Sequence, residues 1–158
     1  MNIGQVMTQG VKTCRPQDSL NAAAKLMWDN NCGTVAVVAD GKVVGMLTDR
    51  DICMAAYTQG RALKDMQVSG AMSKGLFACR PDDPLAVAEE AMRANHIRRL
   101  PVTDADDHLV GILSLDDIAR EAACERMAKT RIEVTAEEVC DTLGAICEHS
   151  AHGALLTA

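Results

Sequence analysis

The chain repeats itself once, at a distance of 65 residues. Met7-Thr8 returns as Met72-Ser73, Cys14-Arg15-Pro16 as Cys79-Arg80-Pro81, and Met27 as Met92. Towards the end of each copy stand Gly45-Met46-Leu47-Thr48-Asp49-Arg50-Asp51 and Gly111-Ile112-Leu113-Ser114-Leu115-Asp116-Asp117. By then the offset is 66, so the second copy has gained a residue. The period is longer than the roughly 20–50 residues of common solenoid repeats. A single duplication of this length calls for two small units related by internal pseudo-symmetry. Clefts on such an axis are natural seats for a ligand.

Each copy reads as strand, helix, strand, strand, helix. In the first, Val11–Thr13 is extended and Pro16 breaks it. Asp18 or Ser19 can cap a helix whose Leu20, Ala23, Ala24 and Met27 recur at helical spacing to about Asn30. Thr34–Val38 and Val43–Leu47 are β-branched apolar runs joined by Asp40-Gly41, a tight-hairpin signal. Thr48 starts a helix running to about Tyr57. In the second copy, Leu76–Cys79 reads as the first strand. Asp83 is read as the cap of a helix with Pro84 at its first position, and Leu85, Ala88, Ala91 and Met92 as its buried stripe. Arg99–Val102 and Leu109–Leu113 follow as strands, and Leu115 to about Met127 as the last helix. The longer connection 104–108 accounts for the gained residue.

The fold class expected is therefore α+β: two β-α-β-β-α repeats, residues 1–60 and 71–129, with a linker over 61–70 and an extension over 130–158. Thr135-Ala136-Glu137-Glu138 is a capping box. Val139, Leu143 and Ile146 form the stripe of the helix it starts, and Ile132–Val134 before it alternates like a strand. Shifted by 120, the tail parallels the start of the first copy, with Gly33 against Gly153 and Val35 against Leu155. It reads either as a truncated third repeat, with 154–157 extended, or as an unrelated packing helix.

Bulk properties narrow the function. Apolar residues make up 48%, enough for a core, but aromatics are only 2%: Trp28, Tyr57 and Phe77. That argues against single-stranded nucleic acid, which is bound on stacking platforms. A net charge of −6 offers no DNA footprint. From residue 131 onward one base stands against five acids, which reads as a solvated helix face. No run approaches the ~20 apolar residues of a membrane helix, and no signal peptide is visible. Seven cysteines without a tight framework are expected as reduced thiols in the cytoplasm. No Cys-x-x-Cys, Ser-His-Asp or paired-carboxylate arrangement stands out, so neither catalysis nor a metal is expected.

Thr48/Asp51 and Ser114/Asp117 carry the chemistry. Thr/Ser-x-x-Asp at a strand–helix junction has the form of a capping box, a purely structural device. The same geometry suits a nucleotide. A helix start favours phosphate, and a carboxylate there can take both hydroxyls of a ribose. The two readings coexist, since the cap positions what a ligand uses.

With these motifs, the chain resembles tandem CBS domains, the Bateman module named after cystathionine β-synthase, in a stand-alone bacterial form. His96-Ile97-Arg98-Arg99-Leu100-Pro101-Val102 followed by Gly111–Asp117 is close to the usual second-repeat wording, and the resemblance covers about residues 1–127. It implies a regulatory module for adenine ligands such as AMP, ADP, ATP or S-adenosylmethionine, with no required cofactor. It assigns phosphate or ribose to Ser114 and Thr48, ribose hydroxyls to Asp117 and Asp51, and phosphates to Arg98 and Arg99. It flanks the adenine with Ile112 or Leu113, Phe77 and Ala78. It also implies a homodimer, with Ile52, Ala55, Ala56, Ile118, Ala122 and Ala123 as its faces, acting on an unnamed regulated protein.

Arg98 and Arg99 align with Gly33 and Thr34, so the second-repeat cleft is expected to be the main phosphate site. A Thr48/Asp51 site would have to borrow charge from Arg50, Arg15 or Lys12. The alternative function is a dimerisation scaffold with empty sites, for which the arginine pair is an idle strand edge. The family's inosine monophosphate dehydrogenases carry such a pair beside a catalytic barrel of at least ~200 residues, for which this chain has no room.

Overall fold

The computed structural model describes residues 1–128 and 133–147. The first half contains α1 (Ile3–Val6), β1 (Thr13–Cys14), α2 (Leu20–Asp29), β2 (Thr34–Ala39), β3 (Lys42–Thr48) and α3 (Asp49–Gln59). Two 3-10 turns, Leu63–Asp65 and Val68–Gly70, lead to α4 (Leu85–Asn95), β4 (Arg99–Thr103), β5 (Leu109–Ser114), α5 (Leu115–Ala128) and α6 (Ala136–Cys147). β1 pairs parallel with β2, and β2 antiparallel with β3; β4 and β5 form the second hairpin. The Asp40-Gly41 turn has φ of 51° and 81°, the left-handed pair that a two-residue hairpin demands.

There are two cores, one per repeat, and each takes its closing piece from the other half. Ile3 is fully buried among Cys79, Leu85, Ala88, Met92, Leu100 and Leu113. Its counterpart Val68 is fully buried among Cys14, Leu20, Ala23 and Met27. Burying such a side chain is worth roughly 1.5–3 kcal/mol. Backbone bonds repeat the exchange. Ile3 N–H donates to Asp83 O at 3.0 Å, and Val68 N–H to Asp18 O at 2.9 Å. Gly4 N–H donates to Pro81 O at 2.8 Å, and Ser69 N–H to Pro16 O at 2.9 Å. The stretch 61–70, expected as a linker, thus delivers Met66 and Val68 into the first core.

The exchange also explains the motif glycine. Met72-Ser73 crosses β3 at Gly45, where a Cβ would lie 2.8 Å from Ser73 O; Met7-Thr8 crosses β5 at Gly111, where it would lie 2.7 Å from Met7 Sδ.

Several expectations change. Of Leu76–Cys79 only Cys79 pairs, in a single parallel bridge to Val102. Pro101 of β4 has no N–H for the residues before Cys79, whereas its counterpart Ala36 has one. Pro84 is the N-cap of α4 rather than its first residue, with no side-chain cap bond. Asp83 turns back to accept the Arg80 N–H at 2.8 Å. Glu133 and Val134 form a bend, not a strand, because both N–H groups are bound by the Glu125 carboxylate at 2.9 Å. In α6 the stripe is rotated. Val139 and Ile146 pack on the second core, Leu143 is exposed, and Thr142 is fully buried. Ile132, Gly153, Leu155 and the stretch 154–157, on which the third-repeat reading rests, lie outside the described residues.

Candidate functional site

Both Thr/Ser-x-x-Asp segments sit where the last strand of a hairpin becomes a helix, and both make the cap. Thr48 N–H and Oγ1 donate to Asp51 Oδ2 at 2.9 and 2.6 Å, and Asp51 N–H donates back to Thr48 Oγ1 at 3.1 Å. Ser114 N–H and Oγ donate to Asp117 Oδ2, and Asp117 N–H returns to Ser114 Oγ at 3.2 Å. The copies part company at the second carboxylate oxygen. Oδ1 of Asp117 accepts from Thr8 Oγ1 at 3.1 Å and from Arg120 Nη1 at 3.2 Å, and the residue is only 5% exposed. Oδ1 of Asp51 has no hydrogen-bond partner among the described residues, and Asp51 is half-buried.

The cause is a single hydroxyl. Thr8 meets Ile112 through backbone alone, exchanging two bonds of 2.9 Å, which leaves Oγ1 for Asp117. Ser73, the counterpart of Thr8, accepts the Met46 N–H on its own Oγ at 3.0 Å, so that hydroxyl is held at the strand.

A cavity of about 660 Å³ opens beside Asp51. Thr48, Asp51 and Arg50 line it from the first repeat, and Phe77, Arg98 and Arg99 from the second. Thr34 adds a further group: it is only 8% exposed, its Oγ1 has no hydrogen-bond partner among the described residues, and it too lines the cavity. Phe77, 47% exposed, offers a ring. Among the described residues Arg50 and Arg98 form no ion pair, and Arg99 reaches exposed Asp116 at 3.8 Å, a contact worth little.

The structure therefore joins Arg98, Arg99 and Phe77 to Thr48 and Asp51, across the pseudo-axis, and Ser114 and Asp117 do not line this cavity. Arg99 still faces Ser114 in the β4–β5 ladder. Leu113 is fully buried in the second core and cannot flank a ligand; Ile112 is half-buried and Ala78 exposed. The counterpart of Ile112 in the first repeat, Met46, does line the cavity. Thr34, Met46, Asp49, Ser73 and His96 also line it, although no ligand role is expected of them from the sequence. Alignment with Arg99 was the signal available for Thr34.

One cluster among the described residues could approach a metal: Asp104, Asp106 and His108 bring ligand atoms within 4.8 Å of one another. It is an exposed hairpin tip, and Asp104 Oδ1 already accepts the N–H groups of His108 and Asp106 at 2.9 and 3.0 Å. Those bonds, His108's first, hold its carboxyl below the usual value. Among the described residues no helix is long and apolar enough to cross a membrane.

Comparison with known proteins places the geometry. The CBS domain model matches residues 3–57 and 64–124. The CBS domain-containing protein YhcV of Bacillus subtilis (strain 168) is 40% identical over 118 residues, covering 75% of this chain and 83% of that one. A homoserine O-acetyltransferase of Methanohalobium evestigatum is 30% identical over 119 residues; the match covers 75% of this chain but 23% of the enzyme. The crystal structure of CBSX2 in complex with AMP superposes with a TM-score of 0.70 at 25% identity, over 79% of this chain and 98% of that one.

Proposed function

The chain belongs to the CBS-domain family, both of its repeats being CBS domains, and on that premise we propose that it is a regulatory module that binds an adenine nucleotide in the Asp51 cleft. The observation that carries this reading is the meeting of Thr48 and Asp51 from one repeat with Phe77, Arg98 and Arg99 from the other. The volume lies within the roughly 300–1,000 Å³ usual for ligand pockets. Asp51 Oδ1 is the acceptor for ribose hydroxyls, the α3 N-terminus and three guanidinium groups face the phosphates, and the Phe77 ring flanks the base. Thr34 Oγ1 is a buried hydroxyl that a bound ligand would satisfy. The charge favours AMP, ADP or ATP over S-adenosylmethionine, a sulfonium cation.

The second motif, saturated by Thr8 and Arg120, serves the fold in this reading. The module acts on a regulated protein by shifting between states that bind the nucleotide unequally, without catalysis. Titrating AMP, ADP, ATP and S-adenosylmethionine while following the melting midpoint tests it, since a ligand above its dissociation constant must raise the midpoint. Silence from all four at millimolar concentration leaves the scaffold reading in possession.

A homodimer through the first repeat accompanies this function. Ile52, Ala55 and Ile118, expected at such a contact, are buried in their own cores. The large apolar side chains exposed on α2 and α3 are instead Trp28 at 87%, Tyr57 at 82% and Met54. On the second repeat α6 packs against the equivalent helices, α4 and α5, and Ala119, Ala122 and Ala123 line a groove left open beside Val139 and Cys140. A second copy supplies the cover that the first repeat lacks.

A further inference from the structure

α6 and the cleft are attached to the same few residues. α4 ends at Asn95, and His96 closes it in the left-handed region with φ of 51°. Ile97 N–H returns to Met92 O at 3.1 Å, and the chain then runs through Arg98 and Arg99 into β4. All four residues from His96 to Arg99 line the cavity. His96 also faces the other way: its Nδ1 lies 3.0 Å from Ala145 O. That carbonyl belongs to the last turn of α6, where carbonyls have no partner in their own helix. One turn earlier on α4, Arg93 Nη1 donates to Thr142 Oγ1 at 3.0 Å. α4 thus holds α6 by the end that delivers the cleft residues.

The hold on α6 is not uniformly favourable. Glu89 of α4 is 6% exposed, and its Oε1 has no hydrogen-bond partner among the described residues. Glu138 of α6 repels its charge, and Arg93 only partly offsets this. An unpartnered buried acceptor opposes docking, so the bonds from Arg93 to Thr142 and between His96 and Ala145 bear on whether α6 stays docked.

We infer that α6 reports on the cleft: an anionic ligand in the cavity and the docked α6 stabilise one another through His96–Arg99. The ligand's identity rests on the function proposed above. A ligand held by Arg98 and Arg99 keeps residues 96–99 in the conformation that brings His96 to Ala145. Docked α6 keeps the same conformation for the ligand, and such coupling is reciprocal. The first repeat has no such device. Asn31, the counterpart of His96, has the same left-handed backbone and no described helix packed over it.

Amide hydrogen exchange on the full chain tests the inference. Val139→Asp frees α6, and exchange at Ile97–Arg99 then rises about fivefold or more, the lower end of typical coupling, while β2 and β3 are unaffected. Thr142→Val, which keeps the shape but removes Arg93's acceptor, produces a smaller rise, so the result does not depend on the harsher variant folding. Freed α6 amides with unchanged exchange at 97–99 overturn the inference. In the second arm, saturating AMP slows exchange across Val139–Cys147 of the unmodified chain, and both variants bind AMP several-fold more weakly. Equal affinity with α6 freed also overturns it. If AMP fails to bind while the first arm succeeds, the nucleotide reading falls and the coupling stands.

Discussion

Thr8 Oγ1 donates to Asp117 Oδ1 at 3.1 Å, across 109 residues of sequence. The equivalent pair, Ser73 and Asp51, makes no such bond: Ser73 Oγ is turned to the strand, where it accepts the Met46 N–H. Two nearly identical motifs therefore differ in what they can offer: Asp117 is consumed by the fold, and Asp51 keeps one oxygen free.

Exchanging the acids separates the two roles. Asp51→Asn is expected to weaken AMP binding about 10- to 100-fold, the loss of roughly 1.4–2.8 kcal/mol, with little change in melting. Asp117→Ala loses a helix cap and the Thr8 bond, costing about 2–3 kcal/mol of stability while AMP binding survives. Calorimetric titration and urea unfolding of both variants measure this; equal losses of binding would refute the assignment.

Gly45 and Gly111 are required by the crossing segments rather than by backbone conformation. A Cβ at Gly45 meets a backbone oxygen, Ser73 O at 2.8 Å; at Gly111 the nearest atom is the movable Met7 Sδ, with Thr8 O at 3.0 Å. Gly45→Ala is expected to cost about 1–3 kcal/mol by overpacking, and Gly111→Ala less. Chemical denaturation ranks them, and the reverse order would contradict the crossing geometry.

Cys14 and Cys79, equivalent and buried, have thiols pushed up to about 11, by burial first and then by Asp18 and Asp83 respectively. A native thiol that holds its proton longer than the unfolded one stabilises the fold below the unfolded value of 9.0, and that contribution is lost as pH rises to about 11. Thiol labelling of the folded chain at pH 8 is expected at exposed Cys53, Cys124 and Cys140. Cys14 and Cys79 should react only after unfolding; fast native labelling of either would show the core to be open.

Glu89 makes α6 docking sensitive to pH. Its carboxyl is raised above the usual 4.5 by burial first and by Glu138 next, with Arg93 opposing. The native state therefore holds this proton more tightly, and the associated stability fades as pH climbs above that value. Glu89→Gln is expected to flatten the dependence of stability on pH above 4.5 and to raise stability at the higher pH, where the native carboxylate would be charged. An unaltered profile would place the acid outside the α4–α6 contact.

If the proposed dimer forms through Trp28 and Tyr57, Trp28→Glu, with or without Tyr57→Glu, is expected to yield monomers where the unmodified chain associates, without loss of melting temperature, since both side chains are exposed in one copy. Light scattering after gel filtration distinguishes the two states. A variant that remains dimeric would move the contact elsewhere.

Much that depends on near neighbours was legible in the residues, though not the cap of α4, where Pro84 takes the place expected of Asp83. The Asp40-Gly41 turn, the capping boxes at Thr48, Ser114 and Thr135, and the spacing of Leu20, Ala23 and Met27 are local chemistry, and each stands where the residues put it; of the two caps open to α2, Asp18 or Ser19, it is Ser19 that serves. The duplication likewise announced two related cores. Tertiary structure alone decided which half completes which core, because Ile3 and Val68 are buried by residues from the opposite copy. It decided that Arg98 and Arg99 line a cavity with Thr48 and Asp51, since that meeting is made across an axis that alignment of the copies cannot display. It also decided which aspartate is free. One hydroxyl bonds to a strand N–H and its counterpart to a carboxylate, a choice set by the paths of two crossing segments rather than by the identities of Ser73 and Thr8.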